Sequence, residues 1–108
     1  MPFHVWLTDD AARDLSDLFD YVEARHGAAE VGHVVEQIEQ RLSSLSNSPA
    51  RGTYPHELLA LGIREYREIF FKPYRIIYRI EERDVFVMLV ADGRRDFKTL
   101  LQRRLLGA

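Results

Sequence analysis

Three strand-like segments that follow one another in the second half of the chain constrain its fold most. They cover residues 63–71, 73–81 and 85–91, with Lys72 and Pro73 at the first connection and residues 82–84 at the second. Connections this short join antiparallel neighbours, because a parallel pair needs a crossover of a dozen or more residues. The last segment is apolar throughout, which predicts a central strand that is buried on both faces.

The middle segment alternates, so its two faces have different chemistry. One face carries Tyr74, Ile76, Tyr78 and Ile80. The other carries Arg75, Ile77 and Arg79. Polar residues on the second face of a half-covered sheet are either exposed to solvent or functional.

The first half predicts one strand followed by a helix hairpin. Residues 3–7 are apolar and aromatic, as in a strand. Thr8 is a candidate N-cap for a first helix, and Gly27 is a candidate C-terminal cap. The apolar stripe of that helix is Ala12, Leu15, Leu18, Phe19 and Val22. A second stripe at helical spacing is Val31, Val34, Val35, Ile38, Leu42 and Leu45.

The tail completes the order β-α-α-β-β-β-α. A short amphipathic helix is predicted there from Phe97, Leu100, Leu101 and Leu105, and residues 49–62 are predicted to be a loop. The expected fold is α+β, with one domain over residues 1–108. An antiparallel four-stranded sheet carries the helix hairpin on one face and is followed by the C-terminal helix.

Several classes of protein are disfavoured by what the sequence lacks. Cysteine is absent, and neither a signal peptide nor an apolar run of about 20 residues occurs, so we expect a cytoplasmic protein without a membrane segment. None of the four histidines belongs to a metal-ligand pattern, so no metal is expected. No glycine-rich nucleotide motif or serine-hydrolase motif occurs, and no cofactor is expected.

The arginines are the main candidates for function. Residues 1–50 hold three basic and nine acidic side chains, a net charge of −6, whereas residues 51–108 hold twelve basic and eight acidic ones, a net charge of +4. Two readings of the cationic half compete: a ribonuclease site that neutralises a phosphate, or a docking surface for an acidic protein segment. Cross-strand ion pairs of Arg64, Arg67 and Arg79 with nearby glutamates are the structural alternative. Arg75 and Arg95 are the stronger functional candidates.

The chain resembles the RelE/ParE superfamily of type II toxin–antitoxin toxins. The resemblance rests on the element order and on four blocks in sequence, which are residues 49–52, 62–67, 74–79 and 93–96. It implies a small growth-arresting toxin of the plasmid-stabilisation kind that forms a hetero-oligomer with a cognate antitoxin. RelE-like members cleave mRNA on the ribosome, and ParE-like members inhibit DNA gyrase.

The ParE-like branch is favoured by what this chain has and lacks. The helix hairpin is long and acidic, the sequence pI is about 6.1, and the lysines and C-terminal tyrosine of a RelE-like nuclease have no counterpart. The expected activity is therefore gyrase inhibition without catalysis. The alternatives are an mRNA endoribonuclease acting with the ribosome, and a non-toxic homologue that only binds a partner or represses its own operon.

The resemblance also implies roles for particular residues. Target binding is expected at Arg75, Arg79, Arg94 and Arg95. If the chain is a nuclease, its catalytic groups are Arg75, Arg95 and Arg67. Antitoxin binding is expected at Phe97, Leu100, Leu101 and Leu105, which alternatively pack on the core.

Overall fold

The computed structural model describes residues 2–107 and confirms the predicted α+β class and element order. Its elements are β1 (His4–Leu7), α1 (Asp9–His26), α2 (Ala28–Asn47), a 3-10 turn (Pro49–Arg51), α3 (His56–Leu59), β2 (Arg67–Phe71), β3 (Tyr74–Glu81), β4 (Asp84–Asp92) and α4 (Phe97–Leu105). The 3-10 turn and α3 lie within the segment that was predicted to be a loop.

The sheet is mixed, which differs in one pairing from the antiparallel sheet that was predicted. Its strand order is β1-β4-β3-β2, and β2–β3 and β3–β4 are the antiparallel hairpins expected from the short connections. β1, however, runs parallel to the first half of β4, from His4 opposite Asp84 to Leu7 opposite Val87. The helix hairpin and two further strands separate β1 from β4 in the chain, and a connection of that length allows either direction.

β2 is shorter than the strand predicted at residues 63–71. It starts at Arg67, because residues 63–66 do not pair with β3 and Ile63 instead closes the turn after α3. The Ile63 amide donates to the Leu58 carbonyl oxygen at 3.0 Å, and Tyr66 is buried.

The helix hairpin has the predicted caps. The Thr8 side chain accepts a hydrogen bond from the Ala11 amide at 3.1 Å, which satisfies one of the free donors in the first turn of α1. Gly27 has φ of 89°, a conformation that glycine adopts without a Cβ penalty. The chain can therefore reverse between the two helices in a single residue.

The sheet has a core on each face. On the helix-hairpin side, buried residues of α1 and α2 meet Ile69, Ile76, Tyr78, Val85, Val87 and Val90. On the opposite side, α3 and α4 cover Ile77, Leu89 and Ala91 with Leu58, Phe97 and Leu101. The second face of the sheet is thus partly covered, and Phe97 and Leu101 pack on the core.

The helix hairpin on one face of the sheet and α4 on the other are joined at the part of β4 that extends beyond β1. Asp14 of α1 accepts a hydrogen bond from the Val90 amide at 3.1 Å and receives two from Arg104 of α4, at 2.9 and 3.0 Å. Arg104 also donates to the Met88 carbonyl oxygen at 3.1 Å. These contacts satisfy backbone groups at the irregular part of β4, where the β3–β4 register shifts.

Tyr78→Phe is expected to lower the free energy of unfolding by about 1–3 kcal/mol. The fully buried Tyr78 hydroxyl donates to the Pro49 carbonyl oxygen at 2.6 Å and accepts from the Gly52 amide at 3.0 Å, so the variant leaves two buried backbone groups unpaired. Denaturant unfolding measures the change, and Tyr21→Phe at an exposed site is the matched control. An unchanged midpoint for Tyr78→Phe would contradict this role.

Candidate functional site

Arg75, the central arginine of the predicted site, is buried between two carboxylates. It lies on the second face of β3, with only 7% of its surface exposed. Its two terminal nitrogens donate to both oxygens of Glu57 at 2.7 and 2.8 Å. Its Nε donates to Glu68 at 2.8 Å, and Nη2 lies 2.7 Å from the same carboxylate. The guanidinium group thus joins α3 to β2 across the sheet face.

Phe97 and Gly93 complete the environment of Arg75. The guanidinium carbon lies 3.9 Å from the centroid of the Phe97 ring, within the range of a cation–π contact. A Cβ at Gly93 would come within 2.7 Å of the Arg75 Cδ atom, so glycine leaves the space that the arginine stem occupies. The turn glycine identified in the sequence therefore serves the packing of Arg75.

Burial and ion pairing act differently on the three ionisable groups. Hydrogen bonds from Arg75 lower the pKa of Glu57 despite its partial burial. Burial raises the pKa of Glu68, and Arg75 offsets this only in part. Burial alone would lower the pKa of Arg75, but its hydrogen bonds to Glu57 and Glu68 outweigh that effect and raise it. Arg75 therefore stays charged, and the deeper burial of Glu68 is the reason that its pKa shifts in the opposite direction from that of Glu57.

Opposite pH effects are expected for Glu57→Gln and Glu68→Gln. The lowered pKa of Glu57 contributes stability that is present above its ordinary value of 4.5 and is lost as pH falls through the folded pKa. The raised pKa of Glu68 contributes stability that is present below 4.5 and is lost as pH rises through the folded pKa. The free energy of unfolding should thus rise less steeply with pH in Glu57→Gln and more steeply in Glu68→Gln. Denaturant unfolding at several pH values on either side of 4.5 tests both variants. Equal slopes of the unfolding free energy against pH in the two variants would contradict the assignment.

An open depression lies over the Arg75 side chain. Its volume is about 590 Å³, and its lining includes His56 and Leu61 from the α3 region, Arg95 from the turn before α4 and Lys98 from the first turn of α4. His56 and Leu61 are exposed, and so are Arg95 and Lys98. Within residues 2–107, neither Arg95 nor Lys98 has a carboxylate at ion-pair distance, whereas Arg75 below them has two. The depression therefore combines available cations with an exposed leucine.

The remaining arginines predicted for target binding or for nuclease catalysis lie in different surroundings. Arg79 pairs with Glu81 at 3.1 Å, and its Nε is buried with no hydrogen-bond partner among residues 2–107. Arg94 is exposed and forms a 2.6 Å ion pair with Asp92, and this pairing lowers the pKa of Asp92. Arg67 donates to the Gly52 carbonyl oxygen at 3.0 Å on the helix-hairpin side of the sheet, away from Arg75. The structure thus brings together Arg75 and Arg95 but not Arg67.

The predicted antitoxin-binding residues divide into two pairs. Phe97 and Leu101 are buried in the core under α4. Leu100 and Leu105 are only partly buried and pack against the same core from its edge. In the isolated chain, only the second pair offers apolar surface to a partner.

Sequence reasoning missed His56, Glu57 and Glu68 as parts of this site. Glu57 is 18 residues from Arg75, in a segment whose prolines and glycines predict a loop. Only the fold of that segment brings its carboxylate to the sheet. Within residues 2–107, no group of three or more histidine, aspartate or glutamate side chains could hold a metal ion, and no helix is long and apolar enough to cross a membrane.

The sequence and the fold both match known toxins. The family described as ParE toxin of the type II toxin–antitoxin system parDE matches residues 5–97. The chain belongs to the ParE toxin family. This assignment confirms the resemblance that was drawn from the residue blocks. Members of the family are toxins of type II toxin–antitoxin systems.

Solved structures share the ParE-family fold at low sequence identity. The chromosomal ParDE toxin–antitoxin system from P. aeruginosa gives a TM-score of 0.69 at 15% identity, covering 83% of this chain and 95% of that one. The RelBE2 toxin–antitoxin complex from Mycobacterium tuberculosis gives 0.57 at 24% identity, covering 85% and 92%. A mutant of E. coli toxin RelE in the free state gives 0.63 at 18% identity, covering 97% and 100%. No curated protein sequence matches significantly.

Proposed function

We propose that this ParE-family chain arrests growth by inhibiting DNA gyrase and that a cognate antitoxin neutralises it. The observation that favours gyrase over a ribonuclease target is the pairing of Arg75 with two carboxylates. In a nuclease, the corresponding arginine would have to hold the scissile phosphate. Here its guanidinium group is held by two carboxylates, and a phosphate would have to displace them at the cost of leaving buried charges unpaired.

The depression above Arg75 is the proposed contact surface for the target. Arg95 and Lys98 supply available cations at its edge, and Leu61, with 52% of its surface exposed, supplies an apolar contact. Protein interfaces combine an apolar anchor with charged groups that set orientation and the rate of encounter. Arg75 acts here as a positioning residue, since it holds α3 beside the cations.

A second candidate, the ribonuclease, is supported by His56. Its imidazole lies in the same depression as Arg95 and Lys98, with Nδ1 at 3.6 Å from Glu57. Histidine is the commonest general acid or base, so the site does contain a group that can exchange a proton. Under this reading Arg95 and Lys98 bind the phosphate and His56 transfers the proton.

The antitoxin is proposed to cover the outer side of α4. Leu100 and Leu105 are partly buried there, and Leu106 is 41% exposed, so one short helix presents several incompletely covered leucines. A helix or extended segment of the partner that packs on these leucines would bury apolar surface next to Arg95 and Lys98. Neutralisation would then follow from occlusion of the depression.

Pulse labelling of DNA and protein synthesis after induction tests the proposal. Early loss of DNA synthesis with continued translation is expected if gyrase is the target. Early loss of translation that His56→Ala abolishes would instead establish the ribonuclease. No effect on either process would favour a homologue that only binds its partner.

A further inference from the structure

Four arginines lie in two linked pairs along the outer edge of β2, on the other side of the sheet from Arg75. They come from α2, the 3-10 turn, the segment before β2 and β2 itself, and we call them the arginine strip: Arg41, Arg51, Arg64 and Arg67. Arg67 stands opposite Tyr78 in the β2–β3 register, and Tyr78 belongs to the core on the helix-hairpin side. The strip is therefore separate from the depression that lies above Arg75.

Contacts to neutral groups join the members of the strip at one end. Arg41 donates from Nε to the Phe70 carbonyl oxygen at 3.1 Å. Arg51 donates to the Ser44 hydroxyl at 2.8 Å, and that hydroxyl donates to the Arg41 carbonyl oxygen at 2.6 Å. One serine therefore links the side chain of Arg51 to the backbone of Arg41.

Tyr54 joins the members at the other end. The Arg67 guanidinium carbon lies 4.7 Å from the centroid of the Tyr54 ring, and that of Arg64 lies 5.9 Å from it. Arg67 also donates to the Tyr54 hydroxyl at 3.2 Å and to the Gly52 carbonyl oxygen at 3.0 Å. The Gly52 amide also donates to the buried Tyr78 hydroxyl, so Gly52 connects Arg67, and through it Tyr54, to the core.

In the described part of the chain, the arginine strip lacks carboxylate partners, unlike five of the arginines elsewhere. Within residues 2–107, none of its four guanidinium groups has an acidic partner at ion-pair distance. Five arginines elsewhere do have such partners, namely Arg13, Arg75, Arg79, Arg94 and Arg104. Holding several like charges close together is unfavourable without a counter-charge, and positioned guanidinium forks with free N–H groups match carboxylates or phosphates.

We infer that the arginine strip is a docking surface for an acidic peptide segment of a protein partner. Each guanidinium group keeps N–H donors that no described residue occupies, and a carboxylate can take two of them at once. The backbone edge of β2 is already engaged, because Thr53 pairs with Glu68 and Arg41 covers the Phe70 carbonyl oxygen. Docking therefore depends on carboxylate–guanidinium contacts rather than on strand addition.

The charge distribution favours a short acidic peptide over nucleic acid. The chain has a net charge of −2, and nine acidic residues lie within residues 1–50, which include both long helices. A nucleic acid duplex extends well beyond a four-residue strip, so it would also meet this acidic half, and the counterion release that drives such binding would be small. A segment with a few glutamates can stay within a Debye length of the strip, about 8 Å at physiological salt.

Fluorescence anisotropy with a fluorescein-labelled hexaglutamate peptide tests the inference on the full chain. The double variant Arg51→Ala/Arg64→Ala is expected to bind this probe at least about tenfold more weakly, since it removes two charge-assisted contacts. Arg13→Ala/Arg25→Ala removes the same charge from exposed positions of α1 and is expected to bind within twofold of the parent. Arg51→Lys/Arg64→Lys should bind at an intermediate level, because it keeps the charge and loses the fork.

Three outcomes would overturn the inference. One is no measurable binding of the peptide by the parent chain at low salt. Another is an equal loss in the strip variant and the α1 control, which would show a general effect of charge. The third is tighter binding of a random-sequence DNA duplex than of the peptide at the same salt. If Arg51→Ala/Arg64→Ala fails to fold, Arg64→Ala alone replaces it, since within residues 2–107 the Arg64 guanidinium forms no ion pair or hydrogen bond and its ring contact is with Tyr54.

Discussion

Arg75→Ala is expected to lower the free energy of unfolding by about 3–5 kcal/mol. The variant leaves Glu57 and Glu68 without their shared counter-charge at positions where their side chains are only 12% and 5% exposed. It also removes the arginine stem from the space between Gly93 and Phe97. Breaking a buried pair costs more than the pair contributes, because an uncompensated buried charge remains.

The exposed pair of Arg94 with Asp92 gives the matched control for Arg75→Ala. Arg94→Ala removes an equally short ion pair, but its side chain is 78% exposed, so the free energy of unfolding is expected to change far less than in Arg75→Ala. Replacing the whole buried group, as Arg75→Met with Glu57→Gln and Glu68→Gln, should recover much of the loss because no unpaired charge is left. A stable Arg75→Ala variant that has lost only its toxicity would show instead that Arg75 contacts the target directly.

Reversing the cations of the depression should abolish growth arrest without unfolding the chain. In Arg95→Glu/Lys98→Glu, two exposed side chains that have no carboxylate partner within residues 2–107 change sign. Charge reversal within an interface costs about 2 kcal/mol or more per residue, which is a loss of affinity of about a thousandfold for both. The free energy of unfolding should change by no more than about 0.5 kcal/mol. Growth after induction, at matched expression, is the measurement.

A control with the same change in net charge separates the contact surface from a general field effect. Arg25→Glu/Lys72→Glu alters two exposed cations outside the depression, at the end of α1 and in the β2–β3 turn. It should remain toxic. Equal loss of toxicity in both double variants would place the contact surface elsewhere or show that net charge alone controls the activity.

The hairpins of the sheet were predictable from sequence, and the position of β1 was not. The connections at Lys72–Pro73 and at residues 82–84 are so short that only antiparallel pairing can follow. β1 is joined to the rest of the sheet by the helix hairpin, and no local pattern reports which strand it meets or in which direction. Its parallel pairing with β4 is determined by tertiary packing rather than by local sequence.

For the same reason, the sequence placed Arg75 on the correct face of β3 without showing its partners. Alternation along a strand gives the face, because its period is two residues. Whether that face is open depends on α3, a helix of only four residues that brings Glu57 over Arg75. A segment this short has no periodicity to detect, so the sequence did not reveal the ion cluster that buries Arg75.

Tyr78 connects two sequence blocks whose contact the sequence does not reveal. The block at residues 49–52 and the tyrosine in β3 both belong to the resemblance to the toxin family. In the structure, the Tyr78 hydroxyl bonds to Pro49 and Gly52, so the two blocks meet at one buried contact. Their spacing along the chain, 29 and 26 residues, gives no indication of that contact.

The most direct test of the proposed function is a supercoiling assay with purified DNA gyrase and relaxed plasmid. The parent chain should inhibit supercoiling in a concentration-dependent manner, Arg95→Glu/Lys98→Glu should not, and Arg25→Glu/Lys72→Glu should inhibit like the parent. Supercoiling at an unchanged rate with excess parent chain, together with cleavage of mRNA on translating ribosomes, would contradict gyrase as the target and support the ribonuclease with His56 at its site.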